Sequence, residues 1–171
     1  MSAANGSAAA ERLGIVGSGT IARGLAAAVV PRELSLLGLI VAAACFAAVV
    51  GGAFATAGGP HSGGGDVADV DRLWRLEPLV YIHAAGVGVF IVGLVLAVGF
   101  LAAYRARART PFLASLAVSG LLLAQIGVGE LQYWTHLPWW LVLVHVTIAS
   151  AVWAATVAFA ALLYRARAYT P

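Results

Sequence analysis

LVYIHAAGVGVFIVGLVLAVGFLAA, residues 79–103, runs without an acidic or basic side chain other than His83 and then meets YRARARTP, residues 104–111. At about 1.5 Å of rise per residue, a helix of this stretch is longer than the roughly 30 Å hydrocarbon core of a bilayer. The same boundary recurs as YRARAYTP at residues 164–171, after the apolar run 137–163. Two further runs, 34–57 and 112–129, have comparable length. In lipid every backbone amide needs an internal partner, so such runs are helices. The sequence therefore predicts an all-α, polytopic four-helix transmembrane bundle over residues 33–171. Residues 1–32 form a cytoplasmic N-terminal segment, expected to be disordered at its small, polar start.

Composition agrees. The chain of 171 residues is 62% apolar and 10% charged, against about 25% charged in soluble domains. Arg12, Arg23 and Arg32 precede the first span, Arg105, Arg107 and Arg109 join the second and third, and Arg165 and Arg167 follow the fourth. The other connections carry only Arg72 and Arg75, beside Asp66, Asp69, Asp71 and Glu77. The positive-inside rule then places both termini in the cytoplasm, and the membrane is expected to be the cell's plasma membrane. Trp74, Tyr133, Trp134, Trp139 and Trp140 collect at the outer boundary, Tyr104 and Tyr164 at the inner one. The net charge of +3 comes from these flanking arginines, so lipid is the expected partner and nucleic acid is not. The single cysteine, Cys45, excludes an intramolecular disulfide and reads as a small packed hydrophobe.

One motif points elsewhere. Around Gly17, Gly19 and Ala22 the chain looks like the phosphate loop of a dinucleotide-binding dehydrogenase. That fingerprint needs a complete βαβ unit and an acidic residue on a second strand. Here Pro31 and a membrane span follow, with Glu33 at the span's entrance. The segment reads as a glycine-rich tail. A secretory signal is not expected either, because the first span is long and lacks a clear cleavage pattern.

Two histidines lie inside the spans. His83 stands 21 residues before Tyr104 and His145 stands 19 before Tyr164, which sets their depths within roughly 3 Å of each other. Ionisable groups in a span need a partner or a role. Short connections make spans one and two, and three and four, antiparallel hairpins. The repeated Tyr-Arg-Ala-Arg-Ala exits suggest a pseudo-twofold axis between them, with spans two and four facing across the bundle, where cofactors sit. Two imidazoles so placed suit one heme iron as axial ligands. The alternative is a pair of neutral histidines bonded to carbonyls or to each other. On the second span His83, Gly86, Phe90, Gly93 and Ala97 share a face, with Gly86 leaving room for a macrocycle and Phe90 packing on it; helix packing alone explains the same glycines. Span three offers Gln125, Gly129 and Gln132 on one face, with Gln125 either lining the pocket or tying helices together. Ala43, Ala47, Gly51 and Ala55 form a small-residue stripe on the first span, suited to close packing. His61 and His136 lie outside the membrane and are not expected to bind iron. The glycine-rich outer loop at residues 56–66 is either a cap over the pocket, with Arg72 and Arg75 facing propionates, or a linker.

Gly59-Pro60-His61 followed by Gly and Asp, and then His83 near the start of the next span, resembles the heme A synthase family. So do Gln125-Ile-Gly-Val-Gly-Glu-Leu-Gln132-Tyr133, Leu137-Pro138 and His145. The likeness covers about residues 33–171. Members typically join two four-helix halves and oxidise the C8 methyl of heme O to a formyl group, giving heme A for terminal oxidases. This chain looks like the C-terminal half, in which two histidines bind heme b; the resemblance implies His83 and His145 as axial ligands and heme O as a possible substrate. It departs from the family's substrate half, which carries a Glu three residues before its first His and an outer cysteine pair. Position 80 is Val, Glu77 lies six residues before His83, and no outer cysteine exists. A homo-oligomer or a partner chain would supply the missing half. Two other readings stay open: a quinone-linked b-type cytochrome, and a non-enzymatic membrane assembly or transport subunit.

Overall fold

The computed structural model describes residues 32–59, 75–106 and 108–168. The dinucleotide-like segment at Gly17, the loop residues His61, Asp66, Arg72 and Trp74, and Arg107 lie outside the described residues. Four helices follow one another: α1 (Arg32–Gly58), α2 (Leu76–Ala103), α3 (Arg109–Trp134) and α4 (Trp139–Ala168). Each is long and apolar enough to cross a membrane, and the described residues contain no strand. The expected all-α four-helix bundle is the observed fold. Large apolar side chains such as Phe54, Val92, Leu96, Phe100 and Leu123 stand more than half exposed on the outer faces. A water-soluble monomer rarely carries such a surface; it is what lipid-facing helices present.

The helices overrun the apolar stretches by up to five residues because internal hydrogen bonding continues into the interface. Pro78 and Pro111 sit in first turns, where a missing N–H leaves no helical bond unmade. At the end of α3 the Thr135 N–H donates to the Leu131 carbonyl at 3.0 Å and the Leu137 N–H to the Gln132 carbonyl at 2.7 Å. His136 and Leu137 both adopt positive φ, 62° and 58°, to turn the chain there. The Pro138 carbonyl then accepts from Leu141 and Val142, starting α4.

Each helix packs on its neighbours in the chain, and α1 closes the ring against α4, so α2 and α4 occupy opposite corners. The four seams are unequal. The α1–α2 seam is tight: a Cβ at Gly86 would lie 3.5 Å from Ala48 Cα, and one at Gly93 would lie 3.2 Å from Val41. The α1–α4 seam is closed by Gly38 against Leu163, by Ser35 Oγ donating to the Leu163 carbonyl at 3.3 Å, and by the Phe46 and Trp153 rings. The α2–α3 seam is sparse. An ideal pseudo-twofold would make the α2–α3 and α1–α4 seams alike, and they are not.

The expected stripe on α1 holds at Gly51, which lies against His83, but not at its start. Ala43 and Ala47 are exposed, and the buried face runs through Val41, Cys45 and Ala48 toward Gly52. Steps of four residues drift by about 40° each around a helix, so a strict four-residue stripe leaves the contact face. Steps of four, three and four stay on it. The face proposed for α2 keeps that rhythm, and it packs on α1.

Two ends of the bundle can be told apart. Leu34, Val41, Leu94, Leu101, Val118, Phe159 and Leu163 fill the half flanked by Arg105 and Arg165. The half flanked by Trp134, Trp139 and Trp140 has few fully buried side chains, chiefly Ala48, Leu79 and Leu141. His83 and His145 lie in this second half.

Candidate functional site

Each histidine is held by the preceding helix of its own hairpin. On α2, His83 is half-buried, and its Nδ1 pairs with the Ala48 carbonyl of α1 at 2.8 Å. A carbonyl only accepts, so Nδ1 carries the proton and Nε2 keeps a lone pair. That Nε2 has no hydrogen-bond partner among the described residues. One turn further along α1, Gly52 makes room for the ring: a Cβ there would lie 3.0 Å from His83 Cε1 and 3.3 Å from Nδ1. Gly51 lets the helices approach, its added Cβ meeting His83 Cα at 3.5 Å.

The second hairpin repeats the device with a side-chain amide in place of the carbonyl. His145 on α4 meets Gln125 of α3 through Gln125 Nε2 and its own Nε2, 3.0 Å apart. Four residues beyond Gln125, Gly129 clears the ring: an added Cβ would lie 3.0 Å from His145 Cε1 and 3.5 Å from Nδ1. Both hairpins thus place a hydrogen-bonding group and a glycine four residues apart on the first helix and an imidazole on the second.

Three buried polar atoms in this half have no hydrogen-bond partner among the described residues: His145 Nδ1, Gln125 Oε1 and Gln132 Oε1. Orphaned buried groups are uncommon, and each one calls for a water, an ion or a ligand. No group of three or more His, Cys, Asp or Glu side chains gathers among the described residues. A porphyrin supplies four nitrogens itself and asks the protein for axial donors only. Two imidazoles on opposite helices, one with its Nε2 uncommitted among the described residues, are donors of the kind such a group asks for.

The other expected residues fall as follows. Gln125 touches His145 directly. Gly86 faces the α1 backbone at Ala48, and Phe90, 2% exposed, joins the core with Cys45 and Leu94. Packing accounts for both. His136 is exposed in the α3–α4 turn. Residues that sequence reasoning overlooked are Gly52 and Ala48. A glycine inside a helix is unfavourable by about 1 kcal/mol relative to alanine, so Gly52 was the available signal. The Ala48 carbonyl, being backbone, left none.

Toward the tryptophan end, Leu76, Glu77, Val80, Tyr81 and Tyr133 line a recess of about 300 Å³ at the sparse α2–α3 seam. It begins about one turn from His83 along α2. Beside it, Trp134 Nε1 donates to Glu130 at 3.1 Å.

The fold and its apolar surface define a helical membrane protein of four spans. No family model, curated protein or solved structure matches the chain.

Proposed function

We propose that this chain is a membrane-embedded heme b module of heme A synthase type, taking part in the oxidation of heme O to heme A. The observation that carries the reading is the pair of imidazoles on opposite helices, each seated over a glycine, with His83 Nε2 uncommitted. His83 and His145 would be the axial ligands. When bound, heme b supplies a one-electron iron couple. With His83 and His145 both engaged, the group would serve electron transfer. The Ala48 carbonyl, accepting from Nδ1, would orient the His83 ring as an acceptor on the far nitrogen orients a metal-bound histidine. The closely packed α1–α2 seam keeps water from that side. Heme O would be the substrate, and a second copy or a partner chain would complete the enzyme. The arginine-flanked end would face the cytoplasm of a plasma membrane.

The test is direct. Protein purified after expression with ample heme supply should show a low-spin heme b spectrum, and His83→Ala or His145→Ala should abolish the low-spin form. Wild-type protein free of heme under those conditions overturns the reading. Coexpression with a source of heme O, followed by pigment extraction, tests the synthase assignment; heme A should appear only when the complementary half is present.

The recess lined by Glu77, Tyr81 and Tyr133 favours one second reading, a b-type cytochrome exchanging electrons with quinol. It predicts quinol-dependent heme reduction with no heme A formed.

A further inference from the structure

The two hairpins use the same plan but do not hold their imidazoles equally. We propose that His83 is the fixed axial ligand and His145 the exchangeable one, with Gln125 acting as a latch on His145; this rests on the heme reading.

His83 gives its Nδ1 proton to a main-chain carbonyl of α1 at 2.8 Å. A carbonyl within a helix has no rotamer to change, and Gly52 leaves the ring room to lie against α1. The tautomer is set by that bond, and it presents the Nε2 lone pair without rearrangement. Nothing has to break before His83 ligates.

His145 differs in three respects. Its contact is to a side chain, Gln125, which has rotamers to leave by. The contact falls on Nε2, while the other ring nitrogen, Nδ1, is buried with no partner among the described residues. With the amide turned either way, Gln125 still engages the same ring nitrogen, as donor in one orientation and acceptor in the other. Ligation through Nε2 therefore requires Gln125 to release it, and Nδ1 has no acceptor to stiffen the ring afterwards. A metal-bound histidine usually has such an acceptor. Gln125 and iron compete for one nitrogen of His145, and no such competition exists at His83.

The inequality makes the single variants diverge. His145→Ala should retain most of its heme in a five-coordinate, high-spin form. His83→Ala should lose most of it, since the remaining ligand is the latched one. Gln125→Leu removes the competitor at nearly constant volume. His145 then holds the reduced iron more firmly, and affinity for carbon monoxide should fall about tenfold, equivalent to ~1.4 kcal/mol. Ser119→Ala, six residues before Gln125 on α3 and bonded only within its own helix, should leave carbon monoxide affinity at the wild-type value. Equal heme retention in the two histidine variants overturns the inference, as does an unchanged affinity in Gln125→Leu.

Failure of the heme reading is separable from failure of this one. If wild-type protein takes up no heme, the functional reading falls. Nitrogen-15 histidine spectra of the heme-free protein still decide the asymmetry. The His83 ring should show a fixed Nδ1–H tautomer in wild type and in Gln125→Leu alike, and the His145 signals should move only in Gln125→Leu. Identical tautomer behaviour of both rings overturns the inference.

Discussion

The half of the bundle at the arginine end and the half at the tryptophan end are built from the same four helices but solve different problems. In the first, Phe159, Leu101, Leu163 and Val118 are sealed from the surface. Its polar groups are satisfied nearby: Ser115 Oγ donates to the Phe112 carbonyl at 2.7 Å, and Thr156 Oγ1 to the Val152 carbonyl at 2.8 Å. In the second, glycines face imidazoles, three buried polar atoms lack partners among the described residues, and a recess opens between α2 and α3. Protein interiors are normally close-packed and hydrogen-bonded throughout. A half that breaks both rules beside one that keeps them has the form of a site carried on a scaffold.

The largest expected effect tests the scaffold. Phe159→Ala should destabilise the bundle by about 3 kcal/mol, the lower end for this substitution, because leaving lipid brings little transfer free energy and the loss is mainly packing. Val142→Ala, at a half-buried position of the tryptophan end, should shift unfolding in mixed detergent by under about 1 kcal/mol. Equal losses at the two positions would erase the distinction between the halves.

The next effect belongs to the glycines. Gly52→Ala and Gly129→Ala each put a methyl 3.0 Å from an imidazole carbon, so the ring must shift by a few tenths of an ångström. Heme occupancy at limiting heme should fall about tenfold, or ~1.4 kcal/mol. Gly88→Ala on α2 and Gly120→Ala on α3 meet nothing within 4 Å and should bind heme as wild type does. A loss shared by all four variants would mean that helix flexibility, and not ring clearance, is what glycine supplies.

These two tests divide along the same line as what the sequence made legible. Spans, hairpins and the opposition of α2 and α4 were readable, because apolar length and boundary repeats are properties of sequence alone. The contact between Gln125 and His145 was approachable too, since Gln125, Gly129 and Gln132 share a face by spacing. Three things were hidden. The α1 contact face departs from the small-residue stripe, because packing follows the mean helical period and not a fixed step of four. The partner of His83 is a main-chain carbonyl, which every residue possesses and none advertises. The unequal seams arise from how side chains of different sizes interlock across helices, information spread over all four spans.

The smallest effect concerns the turn that closes the tryptophan end. His136 sits at φ 62°, a left-handed conformation costing a residue other than glycine about 1–2 kcal/mol. His136→Gly relieves that strain but gives the unfolded chain more freedom, worth about 0.4–1 kcal/mol. The net gain should be about 0.5 kcal/mol, measurable as a higher midpoint in mixed detergent. The neighbouring Leu137 N–H is tied to the Gln132 carbonyl at 2.7 Å, so the turn fixes the end of the helix that carries Gln125 and Gly129. Two outcomes sharpen the comparison between the halves. If stability rises and heme binding is unchanged, the strain serves only to close the hairpin. If stability rises while heme binding weakens, the turn holds α3 against α4 at the distance His145 requires, and the strain belongs to the site. A loss of stability would show that the His136 side chain makes up for its own backbone, and the turn would then count among the packed elements of the fold.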